Sequence, residues 1–350
     1  MADKPKFAMY WAAACGGCDI ALLGINEKIL DFAEAFEPVF WPCVMDGKKS
    51  DIEGLADGAL ALTFFNGAIR TEEDEAMARL LRKKSAVFVA FGSCAVEGCM
   101  PGLSNLSSAD DHLITVYLDN PSTTVTDPAV VPRLSTRVAE GELRLPGLYD
   151  TVRSVRQTVD IDYMIPGCPP EAHQLEAVME LFMGTSGLPE KGAVLGAGTR
   201  ALCEECPRIR SWTGREQRRL RFRRLYEIIP DSTRCLIDQG IVCMGPATRG
   251  GCTALCPGAN MPCIGCYGAP AGVADQGAAM LSALASITDA GSAGQPEEAM
   301  QREVEAAFEP IVDPVGTFYK FSLAHALLNR ARPASPVTDE AADRKGKGRA

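Results

Sequence analysis

Histidine is scarce, three in 350 residues, which is few for an enzyme that does its own acid-base work. No apolar run approaches the roughly 20 residues a membrane-spanning helix needs, so the chain is expected to be soluble, at most peripheral to a membrane. Basic charge is also short. Lys and Arg number 35 against 45 Asp and Glu, a formal net charge of -10, and non-specific nucleic-acid binding, which neutralises phosphates with cations, is excluded for the chain as a whole. The N-terminus, MADKPKFAMYWAAACGGC, lacks the basic segment, apolar run and cleavage site of a secretory signal. That points to a cytoplasmic location, where disulfides are rare. With 47% hydrophobic and 23% charged residues, the composition is that of a globular protein long enough for two domains.

Cysteine is what the chain has in plenty: fourteen residues, eight of them between Cys203 and Cys266. They read C-x2-C (Cys203, Cys206), Cys235, Cys243, C-x3-C (Cys252, Cys256) and C-x2-C (Cys263, Cys266). Eight is two sets of four. A tetrahedral zinc or a 4Fe-4S cluster each takes four thiolates, and a short C-x2-C pair aims two sulfurs at one centre. Core cysteines would not be strung through this much Pro and Gly. Disulfides need an oxidising compartment, whereas structural zinc stays open on these residues alone.

The N-terminal half weighs against zinc as the whole account. Residues 6–13 read as a buried strand, ended by the turn Cys15-Gly16-Gly17-Cys18, with Asp19 at the N-cap position of an amphipathic helix. Later strands are expected over 38–43, 58–65, 85–92 and 159–165, with a charged helix over about 71–83. The fourth strand delivers Cys94 in Gly92-Ser93-Cys94, and the fifth delivers Cys168 in Pro166-Gly167-Cys168-Pro169-Pro170. In a parallel, doubly wound sheet, ligands lie beyond the carboxyl ends of the strands. Cys15, Cys18, Cys94 and Cys168 can therefore converge on one core, where a redox C-x-x-C of thioredoxin type would explain only two of them.

The rest is read as follows. The fold class is α/β, a flavodoxin-like doubly wound parallel sheet over 1–184, containing a long Pro/Ser/Thr-rich loop region at 101–147 and closed by a helix over 171–183. A glycine-bearing linker at 185–198 leads to a mostly irregular or helical two-cluster domain at 199–272, a helical extension at 273–330 and a disordered tail at 331–350. Within the extension, residues 297–330 are expected to pack on another subunit. Eight arginines in 208–224, expected on a helix, form an ion-paired face or a docking face for an acidic partner. Cys43 reads as a core residue, and Trp11 as core or interface. Cys99, five residues after Cys94, is a further thiol able to replace or assist a ligand there. A zinc-stabilised interaction module on the same scaffold is the alternative from another class.

C-G-G-C after the first strand, G-S-C after the fourth, P-G-C-P-P after the fifth and the cysteine-rich C-terminal part together resemble the small, electron-transfer subunit of a NiFe hydrogenase. The first three motifs are shared with the related cluster-carrying subunit of respiratory complex I, which lacks the Cys203–Cys266 domain, and a complex I-like oxidoreductase without hydrogen chemistry is the nearer alternative. The stretches CLIDQGIVCMGPATRGGC and MPCIGCYGAP resemble most the cytoplasmic methyl-viologen-reducing type, which works beside heterodisulfide reductase or similar flavoproteins. The resemblance covers roughly residues 5–270. It implies a proximal 4Fe-4S cluster on Cys15, Cys18, Cys94 and Cys168, and a distal one on Cys203, Cys206, Cys235 and Cys243, Cys203 standing where membrane-bound relatives have histidine. Cys252, Cys256, Cys263 and Cys266 would hold a medial 4Fe-4S cluster where those relatives have a 3Fe-4S. The added thiolate lowers its potential. It also implies a Ni-Fe centre on a large partner subunit and an acceptor subunit linked to flavin, ferredoxin, NAD or heterodisulfide reductase.

Overall fold

Five short apolar runs build the centre of the molecule. In the computed structural model, which describes residues 4–125, 130–184, 187–211, 221–288 and 296–328, the N-terminal half alternates strand and helix. The elements are β1 (Lys6–Trp11), α1 (Gly17–Leu23), α2 (Lys28–Ala35), β2 (Glu37–Phe40), α3 (Lys49–Glu53), β3 (Leu60–Asn66), β4 (Ile69–Thr71), α4 (Glu72–Lys84), β5 (Ser85–Phe91) and α5 (Ser93–Glu97). Then come α6 (Ala109–Ile114), the hairpin β6 (Ser135–Val138) and β7 (Gly141–Arg144), β8 (Leu148–Arg153), β9 (Tyr163–Ile165) and α7 (Ala172–Phe182). The main sheet runs β2-β1-β3-β5-β9, with every pairing parallel. This is the flavodoxin-like order, in which the chain crosses over on both sides of its first strand.

Each face of the sheet is buried because each strand is apolar on both. One core gathers Phe7, Met9, Phe64, Val89, Phe91, Leu175 and Val178; the other gathers Ala8, Phe65, Phe88, Ala90, Met77 and Leu81. Continuous apolar runs of this kind are what a parallel sheet covered by helices demands. The helix α4 begins where the charge pattern places it: Thr71 accepts from the Asp74 N–H while Asp74 accepts from the Thr71 N–H, a closed capping box.

Several expectations needed correcting. The helix after C-G-G-C is two helices, broken by a turn between Leu23 and Lys28, and Gly16, with φ 80°, holds the N-cap position assigned to Asp19. Asp19 is instead buried and accepts hydrogen bonds from Trp41 Nε1 (2.9 Å) and Asn66 Nδ2 (2.7 Å). The 101–147 loop region contains α6 and the β6–β7 hairpin, and β8 behind it pairs antiparallel with β4. The stretch expected as a linker lies against the sheet: Val194 bridges Met164 beside β9, and Leu195 joins the core. Cys43 is exposed, because β2 ends at Phe40 and leaves it in the following turn.

The C-terminal part has its own core, Leu202, Phe222, Leu236, Ile241, Met244, Met280 and Leu284 among its members. Its regular elements are α8 (Leu255–Gly258), α9 (Gln276–Ile287), α10 (Glu297–Phe308) and α11 (Pro314–Phe318). The segment after α11 turns back onto this chain. Phe321, Leu323 and Ala324 are buried, Gln157 donates to the Ala324 carbonyl (2.9 Å), and His325 hydrogen-bonds Ser154. Of the arginine-rich stretch, 212–220 lies outside the described residues; Arg208–Ser211 and Arg221–Arg224 are not helical. The tail from 331 also lies outside them. No helix among the described residues is long and apolar enough to cross a membrane.

Candidate metal centres

Four thiols meet at the carboxyl edge of the sheet. Cys15 follows β1, Cys18 is in the first turn of α1, Cys94 is in α5 directly after β5, and Cys168 follows β9. The edge is tied together by backbone. Gly92 N–H donates to the Ile165 carbonyl (2.8 Å), Ser93 N–H to Gly167 (2.9 Å), and Gly167 N–H returns to Ser93 Oγ (3.1 Å). Gly92 has φ 80°, and a Cβ there would sit 2.3 Å from Cys18 Sγ. Only glycine lets α5 start this close to the thiol. Burial, then the neighbouring Cys94, Cys168 and Cys15, push the Cys18 thiol well up.

A second group collects in the loops around α8. Cys266 is pushed up to about 12, by burial and then by Cys252, Cys256 and Cys168. The C-x3-C loop is unusual backbone: Thr253 and Ala254 have φ 54° and 53°, and Gly251 has φ 125°. Glu205 holds it in that shape by accepting from the N–H groups of Gly251 (3.0 Å) and Ala254 (3.2 Å). The Ala254 and Leu255 N–H groups then face the Cys252 sulfur.

A third group, Cys203, Cys206, Cys235 and Cys243, lines one cavity of about 30 Å³ together with Arg208 and Arg210. Burial and then Cys243 push Cys203 up to about 12, while Arg210 pulls the other way. Arg208 is buried and spends its guanidinium on the loops: Nε donates to the Pro257 carbonyl (2.9 Å), Nη1 to Asp231 (2.8 Å) and Arg234 (2.9 Å), and Nη2 to Asn260 Oδ1. Cys263 stands between the second and third groups. Its N–H donates to Cys243 Sγ (3.3 Å), and its thiol is pushed up by burial, then by Cys243, and last by Cys266.

Twelve of the fourteen cysteines thus stand near other cysteines, Cys263 between the second and third groups. The donor set suits iron-sulfur chemistry. At Cys18, Cys203, Cys263 and Cys266 burial and then neighbouring thiols push the thiol up; metal ligands must be ionised, and a cationic core would oppose that shift. Backbone N–H groups aimed at cysteine sulfur, as at Cys243, Cys252 and Cys263, are the hydrogen bonds that tune cluster thiolates.

Cys99 stands at the first group. It is buried, and its Sγ lies 3.8 Å from Cys168 Sγ in a small cluster with Cys94 and Phe321. The roles of Arg208 and Glu205 carried no sequence signal, because both act on segments distant along the chain. The histidines left aside from the chemistry have local partners: His112 contacts Arg70 and Ser107, and His173 contacts the Gly251 carbonyl. Trp11 is 44% exposed beside the first thiol group.

Residues 15–182 match the family described as "NADH ubiquinone oxidoreductase, 20 Kd subunit". Longer matches extend over nearly the whole chain. An iron-sulfur subunit of the F420-non-reducing hydrogenase of Archaeoglobus profundus is 34% identical over 327 residues, 93% of this chain and 98% of that protein. A subunit of the F420-non-reducing hydrogenase of Methanothermobacter marburgensis is 35% identical over 330 residues, 94% of this chain and 97% of that protein. The delta subunit of the NAD-reducing hydrogenase HoxS of Cupriavidus necator is 25% identical over 177 residues, 51% of this chain and 78% of that one.

Proposed function

The chain belongs to the family of F420-non-reducing hydrogenase iron-sulfur subunits, and on that premise we propose that it is the electron-transfer subunit of a cytoplasmic NiFe hydrogenase. Electrons released from H2 at a Ni-Fe centre on a separate large subunit pass through it to an acceptor subunit. The acceptor is of heterodisulfide-reductase, flavin, ferredoxin or NAD-linked type.

The observation that carries this reading is continuity of thiols. Cys168 of the first group lies close enough to Cys266 of the second to raise its pKa, and Cys263 N–H donates to Cys243 of the third. The three groups therefore form a file from the carboxyl edge of the sheet into the second core. Cys15, Cys18, Cys94 and Cys168 would hold the proximal cluster; Cys252, Cys256, Cys263 and Cys266 the medial; Cys203, Cys206, Cys235 and Cys243 the distal. Bound there, 4Fe-4S clusters supply one-electron carriers. The chain fixes where they stand and what surrounds them. Ser93 Oγ donates to the Cys266 carbonyl, joining the proximal turn to the medial loop. Tyr267 OH donates to Gln174 Oε1 (2.7 Å), fastening that loop to α7. At the far end, Arg208 and Arg210 put positive charge beside the distal thiols, which would favour the reduced form of a cluster held there.

The match over 15–182 also favours a second reading, an iron-sulfur subunit of a complex I-like oxidoreductase without hydrogen chemistry. Anaerobic purification with native partners separates the readings. About twelve iron atoms and as many sulfides in this subunit, with nickel in a co-purifying chain, support the hydrogenase. Iron and sulfide without nickel favour the complex I-like reading, and zinc without sulfide sinks both. Cys94→Ser should stop H2-to-dye electron flow; a variant complex with full activity and an intact proximal cluster would overturn the ligand set.

A further inference from the structure

A fifth sulfur stands at the proximal group. Cys99 is only 1% exposed, and its thiol reaches Cys168 Sγ at 3.8 Å and the Cys94 thiol as well. The side chain has nowhere else to go. Phe321, Ala14 and Cys266 close the same small apolar cluster, and the Cys99 N–H is tied to the Phe321 carbonyl (3.1 Å). The backbone is strained to put the sulfur there. Cys99 has φ 45° and ψ -145°, conformational space that suits glycine. Strain of this kind persists where the surrounding structure enforces it, commonly at functional sites.

Taking Cys94 and Cys168 as cluster ligands, as the functional reading does, we propose that Cys99 is a potential-setting residue of the proximal centre: its S–H donates to the Cys168 sulfur while the other four cysteines bind iron. A proton donated to a ligand sulfur offsets negative charge there. Reduction adds one more negative charge to the centre, so the donor favours the reduced form and raises the potential. The effect falls on the cluster nearest the large subunit, where it sets how readily the first electron enters the file.

The test uses the anaerobically purified complex with Cys99→Gly, Cys99→Ser and Cys94→Ser. Glycine relieves the backbone at this position, so the first variant is expected to fold. Iron and sulfide are counted, and the proximal signal is titrated by electron paramagnetic resonance against potential. Cys99→Gly should keep full iron and sulfide while its reduction equilibrium falls roughly tenfold, about 59 mV for one electron. Cys99→Ser, whose hydroxyl can still donate, should recover most of that shift. Loss of iron in Cys99→Gly would make Cys99 a ligand and overturn the proposal, as would an unchanged midpoint, which would leave it a packing residue. A Cys94→Ser complex that keeps all its iron would instead sink the ligand set on which the proposal stands.

Discussion

Replacing Arg208 with methionine should empty the distal site while leaving the sheet intact. Its guanidinium makes four hydrogen bonds, to the carbonyls of Pro257, Asp231 and Arg234 and to Asn260 Oδ1. These span the loops that carry Cys206, Cys235 and Cys256, and the side chain is 7% exposed. A hydrogen bond to a charged donor contributes about 1.5–3 kcal/mol net, so simple addition would give about 6–12 kcal/mol. That sum is too large, because the cation no longer has to be desolvated and some freed carbonyls will recover water. Removing one side of a buried charged network costs about 3–5 kcal/mol, and we take that as the expected local loss. It exceeds what loops without a continuous sheet or helix can spare. Arg208→Lys separates charge from shape, since an ammonium keeps the cation but has three donors and no planar fork; it should restore only part of the loss. Iron per subunit and the distal electron paramagnetic resonance signal of the purified complex report the outcome. A methionine variant with full iron, an unaltered distal signal and an unchanged urea midpoint would refute the reasoning.

Two further substitutions probe the N-terminal half. Gly92→Ala should abolish the proximal centre, because its Cβ would overlap Cys18 Sγ at 2.3 Å and its φ of 80° is strained for alanine; about four irons should be missing from the purified complex, and a full complement would show that the edge can relax. Glu75 is held at about 2, burial being outweighed by hydrogen bonds from Arg153, Arg79 and Tyr149. A carboxyl lowered in the folded state stabilises above its ordinary value near 4.5, and that stability is lost as pH falls from there towards 2. Glu75→Gln should therefore cost about 1–2 kcal/mol at pH 7, allowing for solvent screening, and the gap from the native chain should narrow below about pH 4.5. Urea midpoints of both proteins across pH give the gap, and a difference independent of pH would contradict the assignment.

The spacing of cysteine carried most of what could be read in advance about the candidate sites. Four strand-end thiols and six in three short pairs needed only local geometry, since C-x2-C fixes its own two sulfurs and a strand end fixes where the next residue lies. The strands were legible for the same reason: LALTFF and AVFVAF are apolar on both faces and have no stable place outside a covered sheet. Boundaries were less so. Asp19 looked like an N-cap from its neighbours, yet Trp41 and Asn66, 22 and 47 residues away, offered the carboxylate two buried donors that a capping position could not match.

What the sequence determined by itself was the inventory and its order along the chain: a parallel α/β half bearing C-G-G-C, G-S-C and P-G-C-P-P, then eight thiols, six of them in three short pairs. Tertiary structure alone decided which groups adjoin one another, that Cys99 closes on Cys168, that Arg208 ties three loops, and that the segment around Phe321 folds back over the proximal thiols. Each of these contacts joins residues far apart in sequence. No local pattern encodes them, because they exist only once the sheet edge and the second core have packed together.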